Sequence, residues 1–517
     1  MEIKLLNEPL IEFADDFLCE DPKKGIVTTG FHSLSNNSHK NQIQYAVIGT
    51  KIQISDYINW VEQFKYPIES TKNFKLKLSH IEIREDTERN DLLFDLDDFS
   101  EQYDFEEPVR EGINKKSNPD FPGFNVNSCF RCEFLNNDEN QVIRKLEIDQ
   151  ILNSEDRLLN KLDSVVELYT KAYAQLIEEI SFGRPDIVVI VISSAIYKTL
   201  GNVTIFNKHY NLRRKLKAQI LALKLNVPLQ IILEDTIKGS KKSIQDLATI
   251  GWNYCIAQYY KTANCVPWTI KDIDSTTCYL GISFHRIIDE KNHNLKSSIA
   301  QAFNKSGKGL VFTGKQFEWN SSKTEVSTPH LTFEYAKELV KNALMQYSRF
   351  NKHTPKRVVI HKTSNFWDSH NHPDYDEASG LIQGVREVLG ENAEYDLVTI
   401  KPATIRLFRN GNYPVIRGTM LKLSDEKSIL YTNGYIPYYD TYPGAYVPVP
   451  LLIENIGETP IVEICKEILA LTKMNFNNSD FCDGFPITLQ FSKRVGEIIQ
   501  YFPDDLENPP NKYFFYM

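Results

Sequence analysis

Apolar runs and helical periodicities alternate along the chain and predict two blocks of secondary structure. In the first block, the run Asp186-Ile-Val-Val-Ile-Val-Ile-Ser193 is continuously apolar and rich in β-branched residues, which is typical of a strand covered on both faces. Ser154, followed by two acidic residues, is a predicted helix N-cap. The predicted strands of this block are 44–50, 186–193 and 229–233, and its predicted helices are about 154–182, 208–225 and 242–262. This alternation predicts a doubly wound parallel sheet.

A second α/β block begins after Pro267-Trp268. Its predicted strands are 278–284, 309–314 and 357–361, with short strands up to about 437, and its predicted helices are about 332–350, 375–389, 459–474 and 488–501. We therefore divide the chain into an N-terminal segment, a first α/β domain and a second α/β domain, at 1–150, 151–275 and 276–517.

The net charge of −9 is concentrated in one segment. Residues 82–111 carry 13 acidic and three basic side chains, so the rest of the chain is close to neutral. Binding to a polyanion is therefore not excluded, because the distribution of charge matters more than its total. The segment also holds Leu, Phe and Tyr side chains. It is compatible with a solvated insertion, or with an acidic-aromatic segment that docks on a basic partner or covers a nucleic-acid channel.

Other features restrict the function classes. The eight cysteines are scattered, which is typical of reduced thiols, and the close pair Cys129 and Cys132 has no second pair of zinc-ligand spacing nearby. No glycine-rich phosphate loop follows a predicted strand, so a nucleotide cofactor is not supported. No apolar run approaches the about 18 residues of a membrane helix, and the first residues lack the basic-then-apolar order of a secretory signal. We therefore expect a cytoplasmic protein.

A group of polar side chains in the first block has the chemistry of an anion pocket. Arg213 and Lys217 are four residues apart on a predicted helix and so share one face. Gln230 lies on the following strand and Lys261 on the next helix. Groups at the ends of adjacent elements of a doubly wound sheet converge at its carboxyl edge, and guanidinium, ammonium and amide donors there favour a phosphate. A solvated basic helix face is the alternative.

The order and spacing of these residues resemble the MID domain of prokaryotic Argonautes. The family pattern falls on Arg213, Lys217, Gln230 and Lys261, followed by Pro267-Trp268. The resemblance implies that the four polar residues hold the 5′-terminal phosphate of a nucleic-acid guide.

The resemblance extends over nearly the whole chain. Residues 8–13 resemble the entry segment of the family, 278–282 resemble the first strand of its PIWI domain, and 471–476, 486–489 and 494–497 resemble the C-terminal part of that domain. It implies an α/β fold with a Rossmann-like MID domain followed by an RNase H-like PIWI domain. No N or PAZ domain precedes these segments in the sequence, so the resemblance predicts a short prokaryotic Argonaute.

The aromatic end of the sequence predicts a buried tail. Four of the last five residues, Tyr513 to Met517, are aromatic, which is unusual for a free terminus. By the resemblance, the carboxylate of Met517 joins Gln230 and the guide phosphate in holding a Mg²⁺ ion, a cation that prefers oxygen ligands.

The positions that carry metal ligands in slicing relatives hold other residues here. By the resemblance, the first aspartate of the PIWI site is replaced by Ser283, the next by Thr363, and the last ligand by Lys493. Hydroxyl and ammonium groups cannot anchor the two divalent ions that such a site requires. We therefore expect no catalytic residue at these three positions and a chain that is not itself a nuclease.

The resemblance implies a guide-dependent sensor rather than an enzyme. It predicts a 5′-phosphorylated guide RNA, a complementary single-stranded DNA target that is recognised without cleavage, and specificity supplied by base pairing. It also predicts a separate APAZ-domain effector, carrying an NAD-depleting TIR or sirtuin-like domain or a nuclease, which acts against plasmids or phages by abortive infection, with a higher oligomer on target binding.

Two alternatives from other classes remain open. One is a metal-dependent nuclease with displaced ligands, for which His361, His370 and His372 are candidates. The other is a doubly wound protein whose pocket binds a small phosphorylated ligand.

Overall fold

The computed structural model describes most of the chain. It covers residues 1–517 except 37, 71–118, 180–182, 206–207, 240–245, 264, 272, 287–294, 304–308, 320–327, 371, 373–374, 412, 443–446, 504–505 and 507–508. The acidic segment 82–111 therefore lies outside the described residues.

The described strands and helices follow one another in a mixed α/β order. The strands are β1 (Glu2–Leu5), β2 (Ile11–Glu12), β3 (Leu18–Cys19), β4 (Gln42–Gly49), β5 (Glu133–Asn136), β6 (Gln141–Val142), β7 (Ile187–Ile192), β8 (Asn202–Ile205), β9 (Lys208–Asn211), β10 (Leu229–Leu233), β11 (Thr269–Ile270), β12 (Thr277–Arg286), β13 (Leu295–Phe303), β14 (Gly309–Glu318), β15 (Arg357–Lys362), β16 (Glu394–Pro402), β17 (Thr419–Lys422), β18 (Lys427–Leu430) and β19 (Leu451–Gly457). The helices are α1 (Pro22–Thr29), α2 (Lys51–Gln63), α3 (Lys145–Asn153), α4 (Leu158–Glu179), α5 (Ser194–Leu200), α6 (Leu212–Ala222), α7 (Glu234–Lys238), α8 (Leu247–Ala263), α9 (Phe333–Asn351), α10 (Glu377–Leu389), α11 (Ile461–Leu471) and α12 (Ile487–Ile499).

The first domain is built on a parallel sheet covered on both faces. Its strands lie in the order β10-β7-β4-β5, and β6 continues the pairing with β4. Val189 and Val191 of β7 belong to the core that contains Tyr57 of α2, whereas Val188 and Ile190 belong to the core that contains Leu162 of α4. Successive side chains of a strand point to opposite faces, so burial on both sides explains the continuously apolar run.

The boundary at 151 does not separate two structural units. Strand β4 lies within the predicted segment 1–150, yet it pairs directly with β7, and β5 and β6 extend the same sheet. The sheet therefore begins at Gln42 rather than after 151. Parallel strands need long crossover connections, and the insertion that contains 82–111 separates β4 from its partner strands in sequence.

Two helix starts also differ from the prediction. Ser154 ends α3 as its C-cap and donates a hydrogen bond to Asp156, and the next helix begins only at Leu158. The predicted helix at 208–225 begins at Leu212, because the preceding residues form strand β9 of a hairpin with β8. The Asn211 side chain caps this helix by accepting from the main-chain N–H of Arg214 at 3.0 Å.

The second domain is built on a nine-stranded sheet in the order β1-β17-β18-β19-β16-β15-β12-β13-β14. Strands β14, β13 and β12 form an antiparallel meander, and β15 and β16 then pair in parallel, which is the RNase H-like arrangement. The sequence patterns did not predict β13 or β1. The N-terminal residues are tied to this domain by β1 and by Glu8, whose carboxylate contacts Arg417 Nε at 2.9 Å and Lys473 Nζ at 2.7 Å.

Helix α12 lies directly on β12. A Cβ atom at Gly281 would stand 2.0 Å from the main-chain oxygen of Thr488, so only glycine permits this approach. His361 of the neighbouring strand β15 shares a hydrogen bond with the Thr488 hydroxyl at 2.7 Å. The first turn of α12 is therefore fixed against the middle of the sheet. No helix in the described part of the chain is long and apolar enough to cross a membrane.

Candidate nucleic-acid interface

The four residues predicted to bind phosphate come together between α6, β10 and α8. Arg213 and Lys217 lie one turn apart on α6. Lys261, in the last turn of α8, donates a hydrogen bond from Nζ to Gln230 Oε1 at 2.6 Å. Gln230 is the second residue of β10, so the pocket lies nearer the amino ends of the strands than the predicted carboxyl edge. Helix α8 runs back across the sheet, which brings its C-terminal turn to that end.

The pocket brings several positively charged side chains together, and two of them are buried. Lys217 and Lys261 are only 9% and 3% exposed. Burial, together with the charge of Arg213, lowers the pKa of Lys261 to about 7. Burial also holds the pKa of Lys217 well below its usual value, and Lys261, Arg213 and Arg494 add to the effect. The charged neighbours that shift both pKa values are all cations, so a bound anion would relieve the repulsion.

Two further residues line this pocket that the sequence patterns did not identify. Gln258, one helical turn before Lys261, donates from Nε2 to Gln230 Oε1 at 3.0 Å, and its own Oε1 is buried without a hydrogen-bond partner among the described residues. Arg494 belongs to α12 of the second domain and acts on the pKa of Lys217. The i, i+3 spacing of Gln258 and Lys261 was a usable signal. No local pattern places Arg494 beside a residue so distant in sequence.

The aromatic tail ends at this pocket. Tyr513 stacks on Phe491 of α12 with ring centroids 4.2 Å apart, and Tyr516 donates a hydrogen bond to the main-chain oxygen of Pro510 at 2.6 Å. Met517 is 8% exposed, so the predicted burial of the tail is confirmed. Lys217 Nζ donates to the main-chain oxygen of Met517. The tail thus delivers an oxygen atom to the same ammonium group that is predicted to hold phosphate.

The three positions predicted to have lost a PIWI metal ligand lie on β12, directly after β15, and on α12. Strands β12 and β15 pair in parallel with Gly281 opposite His361, and continuing this register places Ser283 opposite Thr363. Lys493 lies on α12, which covers β12. The Ser283 hydroxyl is buried without a hydrogen-bond partner among the described residues, and Thr363 is exposed. Ser283 and Thr363 therefore lie near the carboxyl ends of β12 and β15, where they present hydroxyl groups, and Lys493 lies on the helix that covers β12.

The other candidate metal sites are not assembled in the described residues. His361 is buried against Thr488, and His372 stacks on Trp367 with ring centroids 3.5 Å apart. In the part of the chain that is described, no three His, Cys, Asp or Glu side chains form a group that could hold a metal ion. Burial raises the pKa of Cys129 to about 11 and also raises that of Cys132, which keeps both as thiols.

Comparisons with known proteins point to one family. No family model matches the chain. In sequence, the chain is 26% identical over 287 residues to the protein argonaute of Aquifex aeolicus (strain VF5), a region that is 54% of this chain and 34% of that protein. The chain therefore matches only about a third of that relative's length.

Solved structures show the same relationship at the level of fold. Clostridium butyricum Argonaute, bound to a guide DNA and a 19-mer target DNA, superposes with a TM-score of 0.57 and 17% identity, over 98% of this chain and 54% of that one. Marinitoga piezophila Argonaute in complex with a 5′-OH guide RNA superposes with a TM-score of 0.53 and 12% identity, over 100% of this chain and 59% of that one. The predicted fold class, a Rossmann-like MID domain followed by an RNase H-like PIWI domain, is confirmed.

Proposed function

We propose that this chain, which is homologous to Argonautes in sequence and shares their MID–PIWI fold, binds a nucleic-acid guide by its 5′-phosphate and recognises a complementary target without cutting it. The observation that carries the proposal is the buried pocket of Arg213, Lys217, Gln230 and Lys261, in which the charged neighbours of both lysines are cations. Buried charge is costly unless it is paired, and a phosphate supplies the missing counter-charge.

The guide is proposed to be RNA and the target single-stranded DNA, as in the short Argonautes that the sequence resembles. The pocket would fix the first nucleotide, and base pairing would then select the target. Contacts to the backbone of the guide–target duplex would supply affinity without reading its sequence. A small phosphorylated ligand is the competing occupant of the same pocket, and nucleic acid of guide length that co-purifies with the protein separates the two.

Magnesium is the proposed cofactor of guide binding. Two oxygen atoms at the pocket could serve as ligands. The main-chain oxygen of Met517 accepts from Lys217, and Oε1 of Gln258, beside Gln230, is buried without a hydrogen-bond partner among the described residues. Oxygen ligands, including phosphates, are those that Mg²⁺ prefers. When bound there, the ion would neutralise the phosphate where it approaches the oxygen of the tail. We propose that Met517 and Gln230, together with the guide phosphate, hold this magnesium ion.

The PIWI domain is proposed to be inactive as a nuclease. Ser283, Thr363 and Lys493 replace the ligands of slicing relatives, and an ammonium group would repel divalent ions. The alternative of a nuclease with displaced ligands lacks a described metal-binding group. A sensor without its own chemistry needs an effector, so we propose an APAZ-domain partner with a TIR, sirtuin-like or nuclease domain that target recognition activates in defence against plasmids and phages.

Substitution of the pocket tests guide capture. Arg213→Ala with Lys217→Ala should weaken binding of 5′-phosphorylated RNA by 10-fold or more while 5′-hydroxyl RNA is little affected, because each charge-assisted contact contributes about 1.5–3 kcal/mol. The measurement is the ratio of the two dissociation constants, obtained by fluorescence anisotropy.

Lys215→Ala is the matched control. Lys215 lies on the same helix, but it forms an ion pair with Asp163 instead of facing the pocket. Its removal takes away a positive charge and should leave the ratio unchanged. If the double variant weakens both RNAs equally, these side chains do not recognise the phosphate.

A further inference from the structure

Strand β1 ends the large sheet and has an open outer side. Among the described residues it pairs only with β17, which lies between it and β18. None of its residues is buried, and the side chains of Ile3 and Leu5 are 65% and 59% exposed. An edge strand of this kind offers a row of unpaired main-chain groups to another strand, so native proteins usually cover or blunt it.

The hydrogen bonds of β1 show which of its main-chain groups face outward. Leu6, directly after the strand, donates its main-chain N–H to the oxygen of the residue that precedes β17, at 3.0 Å. Bonding residues alternate along an antiparallel pair, so Lys4 and Glu2 also bond to β17. The main-chain N–H and C=O groups of Ile3 and Leu5 therefore point to the open side. A second strand beside β1 would bond to these two residues.

The apolar residues of β1 continue an apolar row across the sheet. Ile3 lies opposite Leu421 of β17. Leu421 in turn lies opposite Ile429 of β18, and Ile429 lies opposite Leu452 of β19. The middle of this row is buried in a cluster against which Leu407 packs, whereas Ile3 at its end is exposed. A strand added to the edge would extend the row and cover Ile3.

The charges of β1 are complementary to those of an antiparallel copy of the same strand. With Ile3 of one copy opposite Ile3 of the other, Glu2 of each copy lies opposite Lys4 of the other. These are the positions without main-chain bonds between the copies, where facing side chains approach most closely. A two-fold axis at Glu2 or at Lys4 would instead place like charges opposite each other. The strand is therefore its own complement in one register.

We propose that β1 is a self-association edge, through which two copies of this chain pair about a two-fold axis at Ile3 and join their large sheets into one. The outward main-chain groups gain partners, and the two pairs of Glu2 with Lys4 fix the register. A strand of four residues buries little surface, so the dimer is weak and forms as the protein concentration rises. The inference is independent of the proposed function, because no residue of the phosphate pocket takes part.

Sedimentation velocity of the tag-free full chain, without nucleic acid, tests the pairing over a range of protein concentrations. We expect a monomer–dimer equilibrium in the native chain. Lys4→Glu should weaken dimerisation roughly 3- to 30-fold, because both opposite-charge pairs become pairs of like charge. Adding Glu2→Lys should restore dimerisation, since the reversed strand is again its own complement. Within the chain, Lys422 opposite Glu2 already has Asp425 as an ion-pair partner, which limits its repulsion by the second change.

Lys51→Glu is the matched control. Lys51 is exposed at the start of α2, and its substitution changes the net charge of the chain by the same amount as Lys4→Glu. Dimerisation of this variant should equal that of the native chain. The urea midpoint of unfolding of Lys4→Glu should also equal the native one, because Lys4 is on the surface of an edge strand.

Three results would overturn the inference. The first is a native chain that sediments as a monomer at every concentration. The second is a Lys4→Glu variant that dimerises as the native chain does. The third is a native chain that is monomeric alone and loses another protein from its purified complex on Lys4→Glu, in which case the edge binds a different partner. Guide capture through the 5′-phosphate is measured separately and stands or falls without these results.

Discussion

At the scale of single residues, the central feature is a pair of buried lysines whose pKa values are lowered by burial and by neighbouring cations. The sequence predicted Lys217 and Lys261 through their order and spacing with Arg213 and Gln230, and the structure brings all four together. The sequence could not predict the lowered pKa values of the two lysines, because their burial depends on the tail and on α12, which are distant in sequence. The i, i+3 spacing could place Gln258 on the same helix face as Lys261, but it could not predict the contact of Gln258 with Gln230, which joins a helix to a strand.

The lowered pKa values of these lysines predict that guide binding depends on pH. In the free protein Lys261 has a pKa of about 7, so above pH 7 it is increasingly neutral. A bound phosphate raises that pKa, so binding takes up protons and the affinity falls as the pH rises from 7 to 9. The fall should reach up to about tenfold per pH unit for each lysine that titrates. The measurement is the affinity for 5′-phosphorylated RNA across this range.

The 5′-hydroxyl guide serves as the reference for this prediction. The second ionisation of a phosphate is nearly complete at pH 7, because its pKa is about 6, so the chosen window isolates the protein groups. The hydroxyl guide should show a flatter profile. Parallel profiles for the two guides would mean that the lysines do not titrate on phosphate binding.

At the scale of elements, the contact of α12 with β12 positions both proposed sites. This helix carries Lys493 and Arg494, the charge of Arg494 acts on Lys217, and the tail packs on the helix through Phe491. The apolar periodicity predicted the helix itself. It did not predict the register against Gly281, because a glycine in a strand pattern does not reveal which neighbour approaches it. Strand β13 was missed for a related reason, since it lacks a long apolar run.

Substituting this glycine should separate α12 from the sheet. Gly281→Ala places a Cβ atom 2.0 Å from the main-chain oxygen of Thr488, and backbone atoms cannot move aside cheaply. We expect a loss of about 1–3 kcal/mol in the free energy of unfolding, measured with urea. Ser283→Ala, two residues along the same strand, removes only a hydroxyl without a described partner and should be neutral or slightly stabilising. Equal urea midpoints of unfolding for Gly281→Ala and Ser283→Ala would contradict the close packing of α12 on Gly281.

At the scale of the whole molecule, the two domains share their functional surfaces. The pocket of the MID domain is completed by α12 and by Met517 from the second domain, and β1 from the N-terminus forms the edge of the PIWI sheet. The predicted segment 1–150 contributes β4, β5 and β6 to the sheet of the first domain, because the chain crosses between sheets over long distances in sequence. The alternation of elements predicted two α/β blocks, and the resemblance to prokaryotic Argonautes implied the Rossmann-like and RNase H-like folds.

The proposed loss of metal ligands at Ser283, Thr363 and Lys493 predicts the absence of cleavage by this chain. The purified protein, loaded with guide and incubated with complementary DNA and Mg²⁺ or Mn²⁺, should leave the target at full length. Denaturing electrophoresis of a target labelled at either end provides the measurement. A product cut at a fixed distance from the guide 5′ end would show that another set of ligands forms a working site.

The most direct test of the account is an experimental structure of the chain bound to a 5′-phosphorylated guide RNA in the presence of Mg²⁺. The account predicts the terminal phosphate between α6 and α8, with its oxygens within about 3 Å of Lys217 Nζ and Lys261 Nζ. It also predicts a cation between the phosphate and the main-chain oxygen of Met517. A guide whose 5′-phosphate lies outside this pocket, with Lys217 still bonded to Met517, would contradict the account.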